Sequence, residues 1–190
     1  MPLLSVLSFA HQLLRNRLQA GDAALDGTAG NGHDTLLLAQ CVGSVGKVWA
    51  FDIQQQALDN TAQRLHQASA HEQVQLCLAG HEILAQYVDR PLAAAIFNFG
   101  YLPGGDKKVT TQGANSVAAL QAAAERLAEE GLLLAVIYSG HAAGAEEAAL
   151  IDDWAAALPQ TRFQVLRYGF INQRNSPPYL LAVEKRTRQP

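Results

Sequence analysis

Apolar residues in this chain fall mostly into short unbroken runs, separated by polar stretches in which apolar positions recur at helical spacing. That alternation predicts buried parallel strands wound with helices. Five strands are expected, at Ala23-Ala24-Leu25 closed by Asp26, Lys47-Val48-Trp49-Ala50-Phe51 closed by Asp52, Val74 to Leu78, Leu92 to Phe97, and Leu132 to Tyr138. Helices are expected from about Gly32 to Cys41, Gln54 to Ala68 with Ala57, Leu58, Ala62 and Leu65 on one face, and His81 to Tyr87. Two more should run from Asn115 to Glu130 and from Ala145 to Leu158, the last ended by Pro159. Ahead of the first strand, Leu3, Leu7, Ala10, Leu14 and Leu18 mark an amphipathic helix within residues 1–20. The chain closes with two strands and no helix between them, Arg162 to Tyr168 and Pro178 to Glu184, which must pair antiparallel.

Seven strands result, five of them wound with helices on both faces of a mostly parallel sheet. This is an α/β, Rossmann-like architecture in a single domain, and its seven-stranded sheet with one reversed strand resembles the class I methyltransferase fold. No repeat, linker or low-complexity segment divides the 190 residues.

The turn behind the first strand carries the first candidate chemistry. Asp26-Gly27-Thr28-Ala29-Gly30-Asn31-Gly32-His33-Asp34-Thr35 reads as strand, glycine turn and helix start, where α/β sheets bind nucleotide-like ligands. A pyrophosphate gains nothing from an aspartate at the strand end, and Thr35 stands where a dinucleotide fingerprint would want its third glycine. A sulfonium and an ammonium, as in S-adenosylmethionine, would be favoured by carboxylates at Asp26 and Asp34. The plainer alternative is that Asp26 caps the turn and Asp34 sits in the first turn of its helix. Asp52 is placed to meet ribose hydroxyls, which supports adenosine with either cofactor.

Composition narrows the class without naming it. A hydrophobic content of 49% suits a real core, and no run approaches the length of a membrane span. Cys41 and Cys77 lack metal-site spacing, so buried free thiols, no zinc and a reducing cytoplasm are expected. The net charge of -3 looks wrong for a nucleic-acid binder, but it hides an asymmetry. From Arg162 onward six basic residues face Glu184 alone, whereas seven acids between Glu125 and Asp153 face Arg126 alone. Local phosphate binding is therefore open, through Arg15, Arg17, Lys107, Lys108, Arg174, Lys185, Arg186 and Arg188.

A second loop, Asn98-Phe99-Gly100-Tyr101-Leu102-Pro103-Gly104-Gly105-Asp106-Lys107, follows the fourth strand, across the switch point from the glycine turn. It resembles in part the Asn/Asp-Pro-Pro-Tyr tetrapeptide of amino-group methyltransferases. Asn98 and Tyr101 keep the outer positions, while Phe99 and Gly100 replace the prolines. Taken with DGTAGNGHDT, Gly80-His81-Glu82, Tyr138-Ser139-Gly140-His141 and Asn172-Gln173-Arg174-Asn175-Ser176-Pro177-Pro178, it resembles the "putative rRNA methylase" family of class I S-adenosylmethionine-dependent methyltransferases, from about Gly21 to Lys185.

That resemblance implies a transferase of RNA, and specifically one acting on the aminomethyl group of 5-aminomethyl-2-thiouridine at the tRNA wobble position. It implies S-adenosylmethionine contacts at Asp26, Thr28, Gly30, Asn31, Gly32, His33, Asp34, Thr35, Asp52, Ile53, Gly80, His81 and Asn98. Asn98 would accept an N–H from the amine, Tyr101 would stack on the pyrimidine, and Asp106 or His141 would take the proton. Gly100, Leu102, Pro103, Gly104, Lys107, Arg174, Pro177 and Pro178 would meet the substrate. Other readings are rRNA or a small-molecule amine as acceptor, a nicotinamide-dependent oxidoreductase, or a binding module without activity. The apolar face of the first helix would serve as a lid or a homodimer contact.

Overall fold

Strands that are covered by helices on both faces have no polar face to show, and the continuous apolar runs behave accordingly. The computed structural model describes residues 2–99, 113–140 and 142–187. Its seven-stranded sheet has the order β3-β2-β1-β4-β5-β7-β6, with β1 at Ala23–Asp26, β2 at Lys47–Asp52, β3 at Val74–Leu78 and β4 at Leu92–Phe99. β5 covers Leu127–Ile137, β6 Phe163–Tyr168 and β7 Tyr179–Lys185. β7 is antiparallel to both of its neighbours, and the other pairings are parallel. The terminal strand pair is thus a hairpin whose second strand enters the sheet between β5 and β6, and the expected architecture is confirmed.

Helices α1 (Val6–Arg17), α2 (His33–Val42) and α3 (Gln55–Gln67) cover one face. A 3-10 helix at His81–Gln86 and helices α4 (Gly113–Arg126) and α5 (Ala142–Ala157) cover the other. Alternation along β4 divides its side chains between the two cores. Ala95, Phe97 and Phe99 pack with Leu84, Leu120 and Ile151, whereas Ala94 and Ile96 pack with Val6, Ala10, Leu14 and Leu38. Asn98 lies on the second face, and this turns it toward α1 and α2. Burial of Trp49, Phe51, Phe97 and Phe99, each essentially inaccessible, contributes about 1.5–3 kcal/mol apiece.

Three expectations shift. Ser5 caps α1 by accepting from the Ser8 N–H at 3.1 Å, so the buried stripe starts at Val6 and runs through Ala10, Leu14 and Leu18. Leu3 and Leu7 face solvent instead. On α3 the core stripe is completed by Thr61 and not by Ala62. The helix expected to reach Glu130 stops at Arg126, because Leu127 already pairs with Leu92 before the register jumps to Ala94 opposite Leu132. Glu130 takes a left-handed φ of 61° in that bulge. The two thiols are free; Cys77 is buried and Cys41 half-buried. Among the described residues no helix is long and apolar enough to cross a membrane.

Candidate functional site

Parallel strands deliver their carboxyl ends to one edge of the sheet, and the sequence-selected residues of β1, β2 and β4 meet there. Asp26 ends β1 opposite Ile96 of β4, and Asp52 ends β2. The chain then makes a turn that only glycine allows at two points. A Cβ on Gly27 would lie 2.0 Å from the Phe97 ring. Gly32 has a φ of 76° and backs onto the Thr61 backbone, which a Cβ would meet at 2.8 Å.

The turn is held by its carboxylates and by α3. Asp26 is fully buried; it accepts from the Thr28 N–H at 3.0 Å and from the Thr35 hydroxyl at 2.6 Å. Burial, and after it the nearby Asp34 charge, pushes its carboxyl up to about 7. Thr35, in the position where a third glycine was missing, therefore anchors the strand-end acid, and Asp26 shapes the loop from inside. Asp52 accepts from the Gly30 N–H at 2.9 Å and the Gln54 N–H at 2.9 Å. From α3, Thr61 donates to the Gly30 carbonyl (3.1 Å), Arg64 Nε to the Asn31 carbonyl (2.7 Å) and Asn60 Nδ2 to Asn31 Oδ1 (3.0 Å), while Arg64 also reaches His33 Nε2 at 3.2 Å. The sequence signal for this clamp was faint: polar residues beside an apolar stripe that looked sufficient by itself.

Asn98 is still within β4, paired with Val136, so its backbone is fixed rather than looped. Its N–H donates to Thr28 Oγ1 at 2.7 Å, which ties the strand to the glycine turn. Its Nδ2 donates to Asp34 Oδ2 at 2.6 Å. A carboxylate only accepts, so the amide must turn its NH2 to Asp34 and leave its carbonyl oxygen for another donor. Asp34 Oδ1 receives His11 Nε2 from α1, also at 2.6 Å. No motif announced His11; it was one polar residue in an amphipathic helix.

The rim is completed by four more residues. His81 starts the 3-10 helix with Nδ1 3.2 Å from the Gly27 carbonyl and its ring edge-on to Phe97 and Phe99. Burial lowers its pKa, favouring the neutral ring. Gly80 precedes it, covered by the Glu82 carboxylate. Ile53 is exposed beside Asp52. Tyr138, just past β5, donates its N–H to the Phe99 carbonyl at 3.3 Å, and burial, then the Asp34 charge, raises its hydroxyl pKa.

The β6–β7 loop lies at this edge too, since Asn175 and Ser176 carbonyls come within 4 Å of a Cβ built on Gly140. Arg174 is exposed there, with Pro177 and Pro178 half-buried. Tyr101, Asp106, His141, Gly100, Leu102, Pro103, Gly104 and Lys107, like Lys108 and Arg188, lie outside the described residues. Several cations expected to hold RNA turn up elsewhere. Lys185 donates to the Glu125 and Leu127 carbonyls, Arg17 to the Glu130 carbonyl and Arg186 to the Gln160 carbonyl. All three sit at the opposite edge of the sheet, satisfying helix and loop ends.

The pocket edge suits an adenosyl sulfonium ligand on its own chemistry. Two N–H donors fill about half of the four or so lone-pair sites of the Asp52 carboxylate, and the rest remain for vicinal hydroxyls. The turn brings backbone close without side chains in the way. Among the described residues no group of His, Cys, Asp and Glu is arranged to hold a metal ion.

Comparison with known proteins agrees with this chemistry. Residues 48–184 match the family model described as "Putative rRNA methylase". A curated relative from Arabidopsis thaliana, "tRNA (mnm(5)s(2)U34)-methyltransferase, chloroplastic", is 33% identical over 178 residues, covering 88% of this chain and 65% of the relative. The chain thus spans a little under two thirds of that protein's length. A crystal structure from Clostridium thermocellum, described as a "putative rRNA-methylase", superposes with a TM-score of 0.96 at 37% identity, over 97% of this chain and 100% of the other. A "putative methyltransferase" from Streptococcus mutans in complex with SAH gives 0.89 at 37% identity, over 97% and 99%.

Proposed function

We propose, from the premise that this chain belongs to the "Putative rRNA methylase" family of S-adenosylmethionine-dependent methyltransferases, that it methylates an amino group on RNA. The acceptor we favour is the aminomethyl group of 5-aminomethyl-2-thiouridine at the tRNA wobble position. The cofactor of the family is S-adenosylmethionine, and the sheet is the class I methyltransferase fold. The observation that carries the amine reading is Asn98, held at the glycine turn with its NH2 given to Asp34 and its oxygen left to accept. The Arabidopsis thaliana relative supports the wobble uridine as target.

The proposed mechanism asks little covalent work of the protein. When bound, the cofactor supplies an electrophilic methyl group on a sulfonium. Asn98 Oδ1 accepts one N–H of the neutral amine and so aims the nitrogen lone pair, which is a gain of orientation rather than of acidity. Asp26 and Asp52 hold the turn open for the donor from below and beside it. Tyr101 is assigned to stacking on the pyrimidine, and Asp106 or His141 to accepting the proton. Arg174, Lys107, Pro177 and Pro178 are assigned to the RNA. A nicotinamide dinucleotide fits the turn less well, since Thr35 anchors Asp26 at the position where a dinucleotide fold packs a glycine.

Nucleoside mass spectrometry of tRNA from cells lacking the protein is the test. Accumulation of 5-aminomethyl-2-thiouridine, converted by purified protein and S-adenosylmethionine to the methylaminomethyl form, is expected. An unchanged tRNA profile together with methyl transfer to rRNA or to a free amine would reject the wobble assignment.

A further inference from the structure

We infer that His11 is a positioning residue for methyl transfer: through Asp34 it fixes the Asn98 carboxamide with its oxygen toward the acceptor. The inference rests on the reading that Asn98 receives the amine. Three elements distant in sequence supply the chain of contacts, α1 through His11, the first turn of α2 through Asp34, and β4 through Asn98. The two links are 2.6 Å each. The Asp34 side chain is 10% exposed and that of His11 24%, so water competes weakly for either contact.

The orientation of the amide decides whether the site works. The terminal torsion of asparagine is broad and roughly two-fold, so NH2 and carbonyl exchange places at small cost unless a neighbour discriminates between them. An Asn98 NH2 turned toward the amine would donate into the nitrogen lone pair and occupy the electrons needed for attack. Asp34 prevents this only while its own carboxylate is held in plane with Asn98. The Asp26 and Asp34 charges repel each other across the turn, and Tyr138 stands at the end of β5 with its N–H donated to the Phe99 carbonyl at 3.3 Å. His11 is the donor on its far oxygen that holds it in place against that repulsion.

The geometry makes a specific demand of substitutions. Contact is through Nε2, whose position the terminal amide of glutamine reaches and that of asparagine does not. In single-turnover assays on tRNA from cells lacking the protein, His11→Ala is expected to lower the rate by roughly 10- to 100-fold, the scale of a small misplacement of reacting groups. His11→Gln should restore most of it and His11→Asn should not, while cofactor dissociation constant and melting temperature stay near wild type in all three. Wild-type rate in His11→Ala, with Asn98→Ala slow, overturns this inference alone. Wild-type rate in Asn98→Ala overturns the amine reading beneath it. Equal behaviour of the Gln and Asn variants, or a loss that follows melting temperature or cofactor affinity, makes His11 a helix staple and likewise overturns it.

Discussion

Adding a single methyl group at Gly27 tests the link between core packing and the cofactor turn. Its N–H donates to the Ile96 carbonyl at 2.9 Å and its carbonyl receives His81, so the backbone cannot swing away freely. A Cβ would fall 2.0 Å from Phe97 Cε1 and 2.2 Å from Cδ1, where ordinary contact begins at 3.4 Å. The ring must therefore retreat by well over an ångström. It has nowhere to go, being fully buried, stacked on Phe99 at 5.5 Å and lying under His81. Overpacking of this kind costs about 1–3 kcal/mol. At roughly 2–4 °C per kcal/mol for a chain of this size, the melting temperature of Gly27→Ala should fall by about 2–12 °C. Thermal melts with and without S-adenosylhomocysteine would measure it, with Gly140→Ala, where a Cβ meets nothing closer than 3.7 Å, as the neutral control. Shortening the ring in Gly27→Ala/Phe97→Leu should recover part of the loss. A Gly27→Ala melt matching the control would refute the reasoning.

Three further outcomes follow from the buried acid, from one displaced cation and from the arginine at the site edge. The Asp26 carboxyl rises from 3.8 to about 7, so between those values the folded chain holds a proton the unfolded chain has released, and stability falls as pH rises through that window. Asp26→Asn has no charge to desolvate and should be more stable than wild type near pH 8, by a few kcal/mol at about 1.4 kcal/mol per unit, with the gap in denaturant unfolding closing toward pH 4; a gap that does not depend on pH would sink this. Lys185→Met, which loses the caps on the Glu125 and Leu127 carbonyls, should lower stability by about 0.3–1 kcal/mol and leave the salt dependence of tRNA binding unchanged. Arg174→Ala should instead lower the log-log salt slope by about 0.7–0.9; a fluorescence titration showing the reverse pattern would return RNA binding to the far edge.

Much of the sheet was legible because buried parallel strands write themselves as apolar runs. β1, β2 and β3 lie where Ala23 to Asp26, Lys47 to Asp52 and Val74 to Leu78 placed them. Boundaries failed where pairing overruled local punctuation. Helix α4 was expected to run to Glu130 and the strand to begin at Leu132, yet β5 reaches back to Leu127 through a bulge. Asn98 and Phe99 looked like loop, yet their partners Val136 and Ile137 keep them in β4. The glycine turn was readable from composition, but the inward role of Asp26 was not, since a carboxylate beside a cation site and one that caps a turn share the same letters. His11 was invisible for a plainer reason: a contact between residues 11 and 34 leaves no periodicity.

The place of β7 bears on how the chain reaches its fold. Because β7 lies between β5 and β6, the β5 edge stays open until α5 and β6 have both been made and the hairpin has turned back. Until then Leu133 to Ile137 present a flat apolar strand with unpaired backbone groups. Such late, distant pairing slows folding and leaves a surface on which incomplete chains can associate. Substitutions that weaken β7 should therefore show first as a loss of soluble yield, before any change in the melting temperature of the molecules that fold.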